Sequence, residues 1–171
     1  TCFINSTLQC LSHTYELNNF LDSKENWEKR LQKKPDSLIL LEWDQLRKMM
    51  WSENCIISPA GFIQAVQKVA QLKGRDLFVG YSQNDFTEFL EFIVNSFHSA
   101  IQREVDMEIS GKTITKVDEI AQNCYKMMKV MYKKEYSDIL GLFYGIHVSK
   151  TNTLDNSYEN MVPEPFFNFL L

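Results

Sequence analysis

The first eleven residues decide the fold, and they read Thr1-Cys2-Phe3-Ile4-Asn5-Ser6-Thr7-Leu8-Gln9-Cys10-Leu11. Leu8 and Leu11 stand three apart behind a Thr-Cys start, which predicts a short helix that opens just after Cys2. A cysteine at a helix N-terminus meets unpaired backbone amides and the positive end of the helix dipole, and both favour the thiolate. Cys2 is therefore a candidate nucleophile. The alternative is that Cys2 is a small buried apolar residue, as Cys10 can also be.

The clearest helical pattern starts at Tyr81 and runs through Gln102. Its apolar residues recur at steps of three and four, as Phe86, Phe89, Leu90, Ile93, Val94, Phe97 and Ile101. This spacing predicts a long helix with one apolar face. Asp85 and Glu88 project from neighbouring positions near its start, where the helix dipole favours acidic side chains. They can equally be ordinary first-turn acids, with Gln83 near the cap.

Further helices are predicted on both sides of this one, at Tyr15–Leu21, Ser37–Trp51, Pro59–Val69 and Thr115–Lys134. The charged stretch between residues 22 and 34 predicts a solvated helix or loop. In Ser37–Trp51, the expected inward residues are Leu38, Leu41, Leu46 and Met49, and the expected polar face carries Asp44, Arg47 and Lys48.

Strand signals come only at the end of the chain. The segments Ile139–Val148 and Val162–Leu171 are rich in aromatic and β-branched residues, and a polar stretch separates them. Because the helices come first and the strands last, we expect an α+β fold with segregated layers.

Composition narrows the class of protein. The chain has 171 residues, 44% of them hydrophobic, which is enough for a real core, and its net charge of -4 offers no basic surface for nucleic acid or anionic lipid. No apolar stretch is long enough for a membrane span. The four cysteines form no CxxC pair, so we expect reduced thiols in an intracellular protein of the cytoplasm or nucleus: Cys2, Cys10, Cys55 and Cys124.

Two separated blocks resemble the ubiquitin-specific protease family, a group of papain-like cysteine peptidases. The opening eleven residues are similar to its cysteine box. Gly80-Tyr81-Ser82-Gln83-Asn84-Asp85-Phe86-Thr87-Glu88-Phe89-Leu90 is similar to its Q-x-D-x-x-E-F-L helix start. Three shorter segments also resemble the sequence pattern of this family: Ser58-Pro59-Ala60-Gly61-Phe62, Gly141-Leu142-Phe143-Tyr144-Gly145 and Glu164-Pro165-Phe166.

The resemblance implies a fold and a reaction. The fold is a papain-like α+β domain, with a mostly helical thumb over residues 1–138 and the first strands of the fingers and palm over 139–171. Cys2 becomes the attacking thiol of a deubiquitinase, which forms a thioester with the C-terminal glycine of ubiquitin. The ubiquitin tail, Arg-Leu-Arg-Gly-Gly, needs acidic partners, and the motif assigns its binding to Tyr81, Gln83, Asp85 and Glu88.

The family pattern also shows what to expect elsewhere. The family's histidine and its Asp or Asn partner follow the E-P-F strand, so we expect them beyond Leu171 and expect this front half alone to be inactive. His13, His98 and His147 do not fit that pattern. Residues 149–163 contain no cysteine, so no zinc or other cofactor is expected. A catalytically inactive relative that binds ubiquitin or acts as a scaffold stays open as the alternative.

Overall fold

The computed structural model describes residues 2–52, 56–80, 82–155 and 157–168. Its helices are α1 (Cys2–Ser12), α2 (Tyr15–Asp22), α3 (Lys24–Trp27), α4 (Asp36–Met50), α5 (Ala60–Leu72), α6 (Phe86–Ile101), α7 (Lys116–Tyr132) and α8 (Asp138–Phe143). Short 3-10 turns occupy Glu28–Arg30 and Asp76–Phe78, and the strands are β1 (Gly145–Asn152) and β2 (Glu159–Phe166). The chain divides into two compact units, Thr1–Gln102 and Arg103–Leu171.

The core of the first unit centres on Trp43 of α4. Its ring lies 6.0 Å from that of Phe62 on α5 and 6.3 Å from that of Phe97 on α6, between ring centroids. All three side chains are fully buried. Burial of each such apolar side chain contributes roughly 1.5–3 kcal/mol. The periodic apolar residues of three separate helices therefore meet in one place, as the predicted faces of α5 and α6 require.

The face that α4 buries differs from the predicted one. Leu41 and Met49 are exposed, whereas Asp44 and Arg47 are only 6% and 4% exposed. Arg47 donates to the Asp44 carboxylate at 2.6 Å and pairs through its Nη1 with Asp22 of α2 at 2.9 Å. A buried charge is tolerated when it is paired in this way. The apolar stripe that α4 buries consists of Ile39, Leu40, Trp43 and Leu46. Asp44 and Arg47 can lie beside it because their charges are paired.

Two other expectations are corrected near the ends of helices. The helix predicted from Tyr81 begins at Phe86, because Asp85 is in an extended conformation and caps it. Trp27, in the stretch predicted to be solvated, is fully buried, and its indole nitrogen donates to the carbonyl of Leu21 at 2.9 Å. At Asp85 a side-chain hydrogen bond to the backbone decides where the helix starts, and an apolar period does not report it. At Trp27 one large apolar ring is buried among charged neighbours, and a single residue produces no period.

The second unit contains α7, α8 and a hairpin. Strands β1 and β2 pair antiparallel, with Gly145 opposite Phe166 and Asn152 opposite Glu159. The strand predicted from Ile139 is wrong in its first part, because residues 138–143 form α8; a short apolar run fits either structure. The last three residues of the second predicted strand, 169–171, lie outside the described residues. Among the described residues, no helix is long and apolar enough to cross a membrane.

Candidate active site

Cys2 is the first residue of α1, and its side chain is exposed. The other side of the helix is buried against the core through Phe3, Ile4, Leu8 and Leu11. Backbone amides in the first turn of a helix have no intrahelical partner. The thiol of Cys2 is therefore exposed beside unpaired amide donors, on a helix whose other side is packed into the core. This arrangement suits nucleophilic attack and binding of the resulting oxyanion.

One aromatic contact connects Cys2 with the start of α6. Phe3, the residue after Cys2, meets Phe89 edge-on, with ring centroids 5.0 Å apart at 85°. Phe89 follows Glu88 directly. Phe78 continues the stack against Phe89, with centroids 5.3 Å apart. The structure therefore brings together the two blocks through Phe3 and Phe89, which lie 86 positions apart in the sequence.

Asp85 acts first as the cap of α6. Its Oδ1 accepts a hydrogen bond from the backbone nitrogen of Glu88 at 3.0 Å, and both side chains are exposed. The structural interpretation of Asp85 therefore holds in a modified form, because Asp85 is the cap itself and Glu88 is the first-turn acid. The Asp85 carboxylate is exposed and keeps acceptor positions for a ligand, because the cap uses only one of them.

The loop before α6 is held by Asn84, which sequence reasoning missed. Its side-chain amide donates to the carbonyls of Leu77 at 2.8 Å and Ser82 at 3.2 Å. Asn is a common turn residue, so its position just before the helix cap could have indicated this role from the sequence. Gln83 is exposed in this loop. Tyr81 lies outside the described residues.

Neither histidine of the first unit lies close enough to Cys2 to accept its proton. His13 follows the last residue of α1, so it stands about 16 Å from Cys2 along the helix axis. His98 lies nine residues beyond Phe89 on α6, about 13 Å along that axis from the Phe3 contact. In the second unit, His147 pairs with Glu164 across the hairpin at 3.0 Å. Among the described residues, no three His, Cys, Asp or Glu side chains are grouped to hold a metal ion.

Comparison with known proteins identifies the family. The family model described as Ubiquitin carboxyl-terminal hydrolase matches residues 1–162. The chain therefore belongs to this family of cysteine peptidases, and the resemblance seen in its two motifs is confirmed.

Individual relatives agree with this assignment. Ubiquitin carboxyl-terminal hydrolase 2 of Bos taurus is 30% identical over 100% of this chain and 28% of its own length. Ubiquitin carboxyl-terminal hydrolase Usp2 of Drosophila melanogaster is 36% identical over 72% of this chain and 12% of its own length. The chain thus spans less than a third of each of these relatives.

A solved structure supports the fold. It is titled "Structure of the SAGA Ubp8/Sgf11/Sus1/Sgf73 DUB module bound to ubiquitin aldehyde", and it matches with a TM-score of 0.60 and 20% identity. The match covers 98% of this chain and 32% of that one. The α+β, papain-like fold expected from the sequence is confirmed by this likeness.

Proposed function

We propose that this chain carries the nucleophile of a deubiquitinating thiol protease, which hydrolyses the peptide or isopeptide bond after the last glycine of ubiquitin. The observation that carries the proposal is the edge contact of Phe3 with Phe89, because these two rings directly follow Cys2 and Glu88 in the chain. The contact packs the residue after Cys2 against the first turn and a half of α6. Membership of the family and the ubiquitin aldehyde named for the solved relative support the choice of substrate.

The proposed chemistry follows from the position of Cys2. Its thiolate attacks the glycine carbonyl, an S–C bond forms, and the C–N bond to the leaving amine breaks when that nitrogen receives a proton. Water then releases ubiquitin by hydrolysing the thioester. The backbone amide of Cys2 donates to the oxyanion in both steps, because a first-turn amide has no helical partner.

In this proposal the two carboxylates at the start of α6 bind the ubiquitin tail. Asp85 and Glu88 are exposed and lie in one helical turn, so both can reach arginines of the Arg-Leu-Arg-Gly-Gly tail. Gln83, exposed in the adjoining loop, provides an amide for the tail backbone. Tyr81 is assigned to the same surface by the sequence motif alone.

In this proposal the proton acceptor lies outside residues 1–171. A nucleophilic cysteine needs a base, and neither His13 nor His98 is within reach of Cys2. We place the histidine and its Asp or Asn partner downstream of Leu171, in one catalytic domain whose front part is residues 1–171. That domain is intracellular, in the cytoplasm or nucleus.

A mechanism-based probe tests the proposal. Full-length protein is incubated with ubiquitin vinyl sulfone, and the labelled residue is located by peptide mass spectrometry. We expect labelling at Cys2 and its loss in Cys2→Ala. Cys10→Ser is the matched control, since Cys10 is also an exposed thiol on α1 and its loss should leave labelling intact. Labelling that persists in Cys2→Ala would contradict the proposal.

The inactive ubiquitin-binding or scaffold relative is the second candidate, and the distance of both histidines from Cys2 is the observation that favours it. It predicts no labelling of the full-length protein under conditions that label an active control enzyme. It also predicts ubiquitin binding that weakens in Asp85→Lys. Labelling at Cys2 together with multiple turnover would exclude it.

A further inference from the structure

The short loop that leads into α6 is tied to the rest of the first unit by the side chain of Asn84. Its amide nitrogen donates to the carbonyl of Leu77 at 2.8 Å and to that of Ser82 at 3.2 Å. An Asn amide carries two N–H donors on one nitrogen, so both hydrogen bonds can form at once. One side chain therefore connects the loop to a nearby carbonyl and to a distant one.

The distant carbonyl belongs to a well-packed support. Leu77 is the middle residue of the 3-10 turn Asp76–Phe78. Phe78 is only 4% exposed, and its ring lies 5.3 Å from that of Phe89 and 5.0 Å from that of Phe92, between centroids. Both of these partners are residues of α6. The turn that accepts the hydrogen bond of Asn84 is therefore fixed against the same helix that the loop enters.

The hydrogen bonds of Asn84 determine where the next residue, Asp85, leaves the loop. Asp85 is in an extended conformation, and its Oδ1 accepts a hydrogen bond from the backbone nitrogen of Glu88 at 3.0 Å. The cap fixes this carboxylate relative to α6, and Asn84 fixes the backbone that leads to it. The direction of the free carboxylate oxygen of Asp85 therefore depends on both interactions.

A loop that is ordered before its ligand arrives binds more tightly than one that must be ordered on binding. Without the two hydrogen bonds of Asn84, the residues before α6 would sample more backbone conformations, and binding would have to remove that freedom. Asn84 is half-buried and directs its amide at carbonyls of its own chain. It therefore acts on a ligand of Asp85 without touching that ligand.

We propose that Asn84 is a positioning residue, which orients the Asp85 carboxylate for an arginine of the ubiquitin tail. The inference rests on the proposed function, because it takes the start of α6 as the surface that binds this tail. It deepens that function by adding a residue that makes no contact with the substrate and yet determines how tightly the substrate binds.

The test uses the full-length protein and ubiquitin joined to a small fluorophore by an amide. Asn84→Ala removes both hydrogen bonds, and we expect KM to rise about fivefold, a usual effect of one lost hydrogen bond. The kcat should stay within about twofold, because a loss of binding away from the reacting atoms raises KM alone. Calorimetry on the Cys2→Ala protein, with and without Asn84→Ala, should show the same rise in the Kd for ubiquitin.

Asn18 provides a matched control. Its amide nitrogen also donates to a backbone carbonyl at 2.8 Å, that of Ser12, and its side chain is half-buried like that of Asn84. Ser12 is the last residue of α1, about 15 Å from Cys2 along the helix axis. Asn18→Ala should lower the melting temperature at least as much as Asn84→Ala and leave KM and Kd unchanged. An equal rise of KM in both variants overturns the proposal, because it indicates a general loss of structure.

Asn84→Asp keeps the test decisive if Asn84→Ala fails to fold. The variant retains the shape of the side chain but turns an acceptor toward the carbonyls of Leu77 and Ser82, so neither hydrogen bond can form. It also adds a negative charge next to Asp85, which by itself would strengthen binding of an arginine. A positioning role predicts a higher KM for this variant, and a lower KM overturns the proposal.

A double-mutant cycle identifies the residue through which Asn84 acts. When Asp85→Asn has removed the charge, little is left for Asn84 to orient. In that background, Asn84→Ala should raise KM by no more than about twofold, since the two changes remove one shared interaction. A second full rise of KM would show that Asn84 acts independently of Asp85, and it would overturn the proposal.

The outcomes separate this proposal from the proposed function. Hydrolysis with an unchanged KM and Kd in Asn84→Ala overturns the role of Asn84 and leaves the protease intact. If the wild-type protein binds ubiquitin without hydrolysing the substrate, the proposed reaction fails, and a raised Kd in Asn84→Ala still supports the positioning role. Absence of both hydrolysis and ubiquitin binding in the wild-type protein overturns both proposals.

Discussion

The helices of the first unit and α7 of the second unit are held by different means. In the first unit, α1, α4, α5 and α6 each bury a row of side chains in a shared core. In the second, α7 buries none of its residues and is fixed at its start by a capping box between Thr115 and Asp118. Tertiary packing fixes the position of a side chain far better than a local cap does, so the precision that Cys2 needs is available in the first unit.

Among the predicted changes in stability, the largest loss is expected for a substitution of Arg47 in the first unit. Arg47→Met leaves Asp44 buried with one partner fewer, and we expect a loss of about 3 kcal/mol in the free energy of unfolding. Replacing both residues, as in Asp44→Leu with Arg47→Met, should cost less than the single change. Urea titrations measure both.

The matched pair in the second unit is Arg103 with Asp138. Their charged atoms lie 3.1 Å apart, and each side chain is about one-third exposed. Arg103→Met should cost at most about 1 kcal/mol, because solvent screens the pair. Equal losses in the two units would contradict the contrast drawn between them.

Asp85 allows its cap to be separated from its proposed binding role. Asn caps a helix as well as Asp, so Asp85→Asn should keep the melting temperature within a degree or two, whereas Asp85→Ala should lower it. If the charge binds a ubiquitin arginine, Asp85→Asn should still raise the Kd for ubiquitin about tenfold. Calorimetry gives the affinity, and an unchanged Kd would reduce Asp85 to a cap.

Thr115 should show a smaller and local effect. Its hydroxyl accepts from the backbone nitrogen of Asp118 at 3.2 Å, and the Asp118 carboxylate accepts from the Thr115 backbone at 2.7 Å. Thr115→Ala should cost about 1 kcal/mol, seen as faster amide exchange in the first turn of α7. Exchange in α1 and α6 serves as the internal control. A loss of protection spread over those helices would argue against a local cap.

The smallest expected effect is the acid response of the hairpin tip. Hydrogen bonds from Thr153 and Ser157 lower the pKa of Asp155 from its ordinary 3.8 to about 2. Because the folded pKa is depressed, its contribution to stability is present above pH 4 and is lost as the pH falls toward 2. NMR titration of the Asp155 carboxyl should give that low midpoint. A midpoint near 3.8, or the same hairpin response in Asp155→Asn, would contradict it.

Local periodicity was enough to predict most helices. The apolar residues of α5 and α6 repeat cleanly, and Phe62, Val66, Val69, Phe89 and Phe97 are all buried as expected. The position of Cys2 at the head of α1 was also predicted, whereas its exposure was left open, and the structure contradicts the buried alternative for both Cys2 and Cys10. These features depend on neighbours within one or two helical turns, which a sequence pattern records.

Features that depend on distant partners could not be predicted in this way. Arg47 looked like a surface residue because its partner Asp22 lies on another helix. The contact of Phe3 with Phe89 forms only when segments far apart in the chain are packed together. The family motifs compensated for this, since they linked the two blocks before any geometry was known.

The central claim is that Cys2 performs the chemistry, and hydrolysis of a ubiquitin–fluorophore amide by the full-length protein tests it most directly. The wild-type protein and Cys10→Ser should give kcat/KM values within about twofold of each other, since surface changes away from a site have small effects. Cys2→Ala should fall to the uncatalysed background while retaining its melting temperature. Hydrolysis by folded Cys2→Ala at the wild-type rate would contradict the account.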